Sequence, residues 1–179
     1  WTFRPEKNKM NPIDSPSVQR VRQALRTAGS ADEVLALSET ARTAQDAADS
    51  IGCALGAIVK SLVFRIGDGM DGRAVIALVA GDRRCDTKAL ATVFATGLGL
   101  IGKCKRADAD LVRAATGFAI GGVAPLAYPS VLPMAVDASL GRFDCLYAAA
   151  GHPYCVFPTS LDELVGLTTG ILSDQIALG

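Results

Sequence analysis

The amino-acid sequence predicts a mixed α/β fold in which helices surround a curved β-sheet, and three observations carry that expectation. Stretches with apolar residues at helical spacing alternate with short runs rich in β-branched residues. Two of those runs, Ala57 to Ile66 and Arg73 to Ala80, flank the glycine- and aspartate-rich segment Gly67 to Gly72 and read as a hairpin, which argues against an all-parallel sheet. The chain has 179 residues, half of them hydrophobic, enough for one domain over residues 17–179 behind an N-terminal tail at 1–16.

Taken in order, Ser15-Pro16 reads as an N-cap followed by proline at the first helical position. Val18, Val21, Leu25 and Ala28 then recur at helical spacing as far as Gly29. Glu33 to Leu37 is a short strand. Thr43 and Asp46 have capping-box spacing, and Ala44, Ala47, Ala48 and Ile51 give the next helix a small apolar face ending at Gly52. After the hairpin, Thr87 caps a helix with Leu90, Val93 and Phe94 inward and Gly97 past its end. Asp108 to Ala115 is a further short helix. From Thr116 to Tyr128 a short apolar strand is expected to run into Gly121-Gly122 and Pro125. Leu132 to Val136 and Phe143 to Ala149 read as strands, and Ser160 with Glu163 as a capping box before a last helix carrying Leu161, Leu164 and Val165 inward.

Composition excludes several functions. Eighteen basic and 18 acidic residues cancel, so bulk electrostatics cannot hold a nucleic acid; any such contact is local or shared with a partner. With no clear helix-turn-helix, a DNA-binding regulator is disfavoured. Five cysteines, one histidine and no Cys-x-x-Cys argue against a zinc site, and free thiols fit a cytoplasmic location. There is no Gly-x-x-x-x-Gly-Lys-Ser/Thr phosphate loop, no Gly-x-Ser-x-Gly elbow and no uncharged apolar run of about 18 residues. Trp1 to Lys9 lacks a signal peptide's apolar run, and Met10-Asn11-Pro12 reads as a natural start, so the first nine residues are set outside the fold.

Two stretches carry the candidate chemistry. The paired Gly121 and Gly122 can adopt backbone angles closed to other residues and expose N–H groups to a ligand, with Pro125 fixing the exit; a plain tight turn is the alternative. In the first hairpin strand a period of two puts Ile58, Lys60, Leu62, Phe64 and Ile66 on one face. Lys60 interrupts that apolar face, so it snorkels to solvent, pairs with an acid, or points into a cavity that receives an anion or polar ligand. Arg83-Arg84 reads as a solvated turn, and Lys103-Cys104-Lys105-Arg106 as a phosphate-backbone contact or a solvated surface. His152 and Cys155 invite a nucleophilic pair, which their place in a proline-containing turn and the lack of an orienting third group disfavour.

The runs Thr43-Ala44-Gln45-Asp46-Ala47-Ala48, Ile58-Val59-Lys60-Ser61-Leu62-Val63-Phe64, Ala80-Gly81-Asp82, Thr116 to Pro125, Val136-Asp137-Ala138-Ser139-Leu140 and Ala150-Gly151-His152-Pro153 together resemble the YbaK/ProX family of single-domain aminoacyl-tRNA deacylases. These are similar to the editing domain of bacterial prolyl-tRNA synthetase. The resemblance implies a barrel-like curved sheet and metal- and cofactor-free hydrolysis of a wrong amino acid from tRNA, usually proline tRNA. A synthetase or an elongation factor would assist, with no membrane or DNA involved. It implies that Lys60 holds the terminal adenosine phosphate or polar groups of the substrate, that Gly121 and Gly122 act at the reacting ester, and that Ser61, Phe64, Ile120, Val123, Ala124, Pro125 and His152 shape the aminoacyl pocket. Where some cysteine-clearing relatives carry an aspartate, this chain has Cys155-Val156-Phe157, so alanine, serine or 2-aminobutyrate is the expected target. The alternative is a non-catalytic module that binds aminoacyl-tRNA or a small ligand in the same pocket.

Overall fold

The computed structural model describes residues 10–38, 41, 43–69 and 72–179. The segment set aside at residues 1–9 and the tip of the hairpin turn at 70 and 71 lie outside them. Helix α1 (Pro16–Thr27) has the expected proline in its first turn and buries Val18, Val21 and Leu25, although Ser15 makes no side-chain cap bond. Strand β1 (Leu35–Ala36) is shorter than expected. The capping box of α2 (Ala44–Ile51) forms in both directions, with Asp46 N–H donating to Thr43 Oγ1 at 3.1 Å and Thr43 N–H to Asp46 Oδ2 at 2.9 Å.

The hairpin is present as β2 (Ile58–Ile66) and β3 (Arg73–Ala80), antiparallel from Val59↔Ala80 to Ile66↔Arg73. After the short β4 (Arg84–Cys85), helix α3 (Thr87–Leu98) is capped by Asp86 rather than Thr87. The Asp86 carboxylate accepts from the N–H groups of Lys88 and Ala89. The helix also runs through Gly97 to Gly99. Gly97 serves packing instead of termination, since a Cβ there would stand 2.7 Å from Ile171 Cδ1.

Strand β5 (Cys104–Arg106) and helix α4 (Ala109–Thr116) follow. The strand expected after Thr116 is replaced by a loop. Gly117 ends α4 at φ 73°, and Thr116 Oγ1 accepts from Phe118 N–H at 3.1 Å, turning the chain so that Phe118 is buried. Tyr128 holds the loop's far side by donating its hydroxyl to the carbonyl of Ala124 at 2.7 Å. The remaining elements are β6 (Met134–Asp137), β7 (Leu146–His152), β8 (Cys155–Thr159), α5 (Leu161–Thr168), β9 (Ile171–Ser173) and β10 (Ala177–Leu178). The capping box of α5 is half made: Ser160 accepts from Glu163 N–H, but the Glu163 carboxylate takes the hydroxyls of Ser30 and Thr159.

The main sheet runs β1-β8-β7-β2-β3-β6-β9, with β5 also against β2; β4 and β10 form a separate pair. Pairings β2–β7, β3–β6 and β6–β9 are parallel and the others antiparallel, so the sheet is mixed as expected. It is not closed into a barrel, because β1 and β9 lie at opposite ends with no pairing between them. Apolar clusters fill both faces: Val59 and Val63 of β2 point into one and Phe64 and Ile66 into the other, as strand alternation requires.

The turn after β3 is packed tightly enough to test. A Cβ at Gly81 would lie 2.2 Å from the Leu55 carbonyl oxygen, a backbone atom that cannot rotate aside. Gly81→Ala is expected to destabilise the fold by about 1–3 kcal/mol, read as a lowered urea midpoint with an unchanged slope.

Candidate active site

β2 shares one edge with β3 from Val59 to Ile66, but its other edge is divided. β7 pairs with it only at Ile58 and Val59, and β5 only from Phe64 to Ile66. The interval between them opens into a cavity of about 280 Å³. Ala44 and Ala47 of α2 wall one side, Val112 of α4 and the loop residues Ile120, Gly121 and Val123 wall another, and Ala149 and Pro153 close the β7 end.

Lys60 and Ser61 lie side by side in this interval and use opposite faces of the strand. Lys60 occupies the face of Leu62, Phe64 and Ile66, and its ammonium donates to the carbonyl of Arg83. Burial lowers its pKa from the ordinary lysine value, with the Asp82 carboxylate acting in the opposite direction. Asp82 itself is committed to Arg142, which grips it through two bonds of 2.8 and 2.9 Å and holds its carboxyl below the usual range. Among the described residues no carboxylate forms an ion pair with Lys60, so the half-buried ammonium keeps N–H donors for a ligand. Ser61 Oγ is buried and has no hydrogen-bond partner among the described residues.

Of the residues singled out in the sequence, the cavity gathers Lys60, Ser61, Ile120, Gly121 and Val123. Gly121 takes φ 89°, which favours glycine, and its N–H makes no hydrogen bond among the described residues. Gly122 lies behind the wall: its N–H donates to the Ala119 carbonyl at 3.0 Å, and a Cβ on it would stand 3.0 Å from the His152 backbone. Ala124 and Pro125 are buried behind the lining. Phe64, 2% exposed, belongs to the apolar cluster on the far face, with the Arg106 guanidinium 5.6 Å from its ring centroid. His152 stands just outside, where its neighbour Pro153 does the lining; its Nδ1 accepts from Tyr154 N–H at 3.1 Å, which leaves Nε2 as the ring's donor.

Sequence reasoning assigned no site role to Ala44 or Ala47 and placed Arg106 only in a basic run that contacts a phosphate backbone or solvent; all three line the cavity. The α2 face was legible as small and apolar, and small residues on a helix face leave room for a ligand as readily as for a neighbour. Arg106 is the one member of the basic cluster that reaches the cavity, whereas Lys105 is paired with Asp68 at 2.9 Å.

The thiols of Cys85, Cys104 and Cys155 are poor nucleophiles. Burial raises Cys155 and Cys104 to about 11 and Cys85 to about 12. Cys155 lies opposite His152 in the β7–β8 register and is fully buried. Iodoacetamide at neutral pH is expected to modify the exposed Cys145 first, and mass spectrometry with a parallel activity assay should find activity retained after that single addition.

The model of the aminoacyl-tRNA editing domain matches residues 38–167, a span that contains every element lining the cavity. The chain belongs to the aminoacyl-tRNA editing domain family. A crystal structure described as that of a candidate trans-editing enzyme for prolyl-tRNA synthetase superposes on this editing domain with a TM-score of 0.80. It is 37% identical, over 92% of this chain and 99% of that one. The uncharacterised protein YwhH of Bacillus subtilis is 30% identical over 120 residues, 67% of this chain and 71% of its own. A hypothetical protein of known structure, at 24% identity and TM-score 0.75 over 89% of this chain and 99% of its own, shares the fold. Helix α1 precedes the matched span, yet packs on the same loop: Arg20 lies 4.4 Å over the Phe118 ring and donates to the Gly117 carbonyl at 3.3 Å. No helix among the described residues is long and apolar enough to cross a membrane.

Proposed function

We propose that this editing domain is a trans-editing hydrolase that cleaves the ester between a small non-cognate amino acid and tRNA. The observation that carries the proposal is the break in strand pairing beside β2, where an apolar cavity of about 280 Å³ is lined by a half-buried lysine, a serine and a glycine; among the described residues the lysine has no acidic partner and neither the serine hydroxyl nor the glycine N–H makes a hydrogen bond. Proline tRNA is the proposed carrier because the chain is 37% identical to a candidate trans-editing enzyme for prolyl-tRNA synthetase. That synthetase or an elongation factor would deliver it to a protein of zero net charge.

In the proposed reaction a water oxygen adds to the ester carbonyl carbon and loses a proton to solvent or to the substrate's vicinal hydroxyl. The resulting oxyanion collapses, expelling the terminal ribose oxygen, which takes a proton and leaves as tRNA while the amino acid departs. An aminoacyl ester is activated enough for positioning and oxyanion stabilisation to suffice, so the scheme uses water alone and no metal. Lys60 supplies a positive charge to a phosphate or to polar groups of the terminal adenosine. Gly121 presents its N–H at the reacting ester, and Gly122 fixes the turn that aims it. Ser61, Ile120 and Val123 contact the aminoacyl group. Phe64, Ala124, Pro125 and His152 act from behind, setting how far those residues reach. Alanine, serine and 2-aminobutyrate are the proposed substrates, and one methylene at the wall changes preference by only about 1–3 kcal/mol.

The reading is tested by multiple turnover. Catalytic amounts of the chain should release alanine from alanyl-tRNA specific for proline and spare the prolyl form. Tight binding of the charged tRNA without release would favour a non-catalytic binding module instead.

A further inference from the structure

The pairing pattern of β2 identifies one residue whose backbone is left for a ligand. In an antiparallel ladder the N–H and C=O of a residue face the same edge, and successive residues alternate. Ile76 N–H donates to the Pro133 carbonyl on the β6 side, so Ala77 and Val79 face β2, and their partners Leu62 and Lys60 face β3. Ser61 and Val63 therefore face the other edge, consistent with the Val63 carbonyl accepting from Ala107 N–H at 3.1 Å. On that edge β7 pairs no further than Val59 and β5 begins at Phe64. Ser61 thus turns a donor and an acceptor to the cavity with no strand opposite them. The second observation is its side chain, a buried hydroxyl without a partner among the described residues. Backbone groups and hydroxyl alike carry a desolvation cost that a polar ligand would relieve.

We infer that Ser61 receives the main-chain part of the aminoacyl group as if it were a single residue of a missing strand, an inference that rests on the deacylase reading above. An α-ammonium proton donates to the Ser61 carbonyl, and the ester carbonyl oxygen accepts from the Ser61 N–H. This is the double exchange of a hydrogen-bonded pair in an antiparallel sheet, and an aminoacyl ester spaces its nitrogen and carbonyl oxygen as one peptide residue does. Ser61 Oγ accepts a second ammonium proton. Recognition of this kind is blind to the amino acid's side chain, so the apolar wall of Ile120, Val123 and Ala44 is left to discriminate by size. It also places a backbone donor on the oxygen that becomes the oxyanion.

The test is an amide-resolved ¹⁵N–¹H spectrum of the whole chain titrated with 3′-alanylamino-3′-deoxyadenosine, a non-hydrolysable amide mimic of the charged tRNA end. Before addition the Ser61 amide should exchange with solvent faster than those of Leu62 and Phe64, which lie in the β2–β3 ladder. At saturation it should move downfield and slow roughly tenfold or more, and an N-acetylated probe should bind about tenfold more weakly, having lost the charge-assisted bond. Binding that shifts other cavity amides while Ser61 stays unmoved and fast-exchanging would overturn the pairing and leave the deacylase reading standing. No binding of the probe together with no deacylation would overturn both.

Discussion

Replacing Lys60 by methionine is expected to lower deacylation by roughly 100-fold or more, the scale for removing a positioned charge or donor from an active site, while the protein stays folded. The two halves of that result have one cause. Burial lowers the Lys60 pKa below its ordinary 10.5, so the unfolded chain binds this proton more tightly than the folded one. The protonated side chain therefore costs the folded state stability at neutral pH. That cost is full below the folded pKa and vanishes as pH rises past the unfolded value. Methionine fills similar volume without a charge, so Lys60→Met should match or exceed the wild-type melting temperature at pH 7, and the wild type should close any gap as the solution is made alkaline. If the working form is the ammonium, wild-type kcat/KM declines on the alkaline side through a pKa below 10.5. A lysine that merely snorkelled would give a variant unchanged in activity.

Gly122→Ala is the second large effect. The new Cβ would stand 3.0 Å from the carbonyl carbon and Cα of His152 and 3.1 Å from its nitrogen, three backbone atoms that cannot turn away. Either β7 or the loop must move, and the loop is the less heavily bonded of the two. Gly121 and Val123 flank the substitution and line the cavity, so the shift is delivered to the reacting end of the site. A loss of about 10- to 100-fold in kcat/KM is expected from displacement on that scale, with a lower melting temperature from the same crowding. Gly166→Ala, inside α5 with nothing within 4 Å of the new atom, is the control that should leave activity unchanged and raise the melting temperature slightly, since alanine favours the helix over glycine.

Much of this was legible in the sequence, for reasons that differ from residue to residue. Thr43 with Asp46 and Arg73 to Ala80 were readable because a capping box and a short apolar run behind a turn-rich segment are local signals, and the structure realises both. The caps at Asp86 and Gly99 were misplaced by one and two residues because Thr87 and Gly97 carry the same propensities, and only packing against Ile171 shows that Gly97 belongs inside the helix. β5 and β8 were missed: the first is a basic three-residue run and the second contains Pro158, and both are held by their neighbours. Lys60 was readable as an anomaly on an apolar face. The cavity beside it was not, because it exists only where β7 and β5 leave part of one edge of β2 uncovered, a matter of register between strands distant in the chain.

The measurement that tests the account most directly is amino acid release from proline tRNA charged separately with alanine, serine, cysteine, 2-aminobutyrate and proline, with wild type and Lys60→Ala run side by side. The account predicts fast release of one or more small wrong amino acids, retention of proline, and loss of that release in the variant. Equal rates for the two proteins, or no release beyond that in buffer, would contradict it.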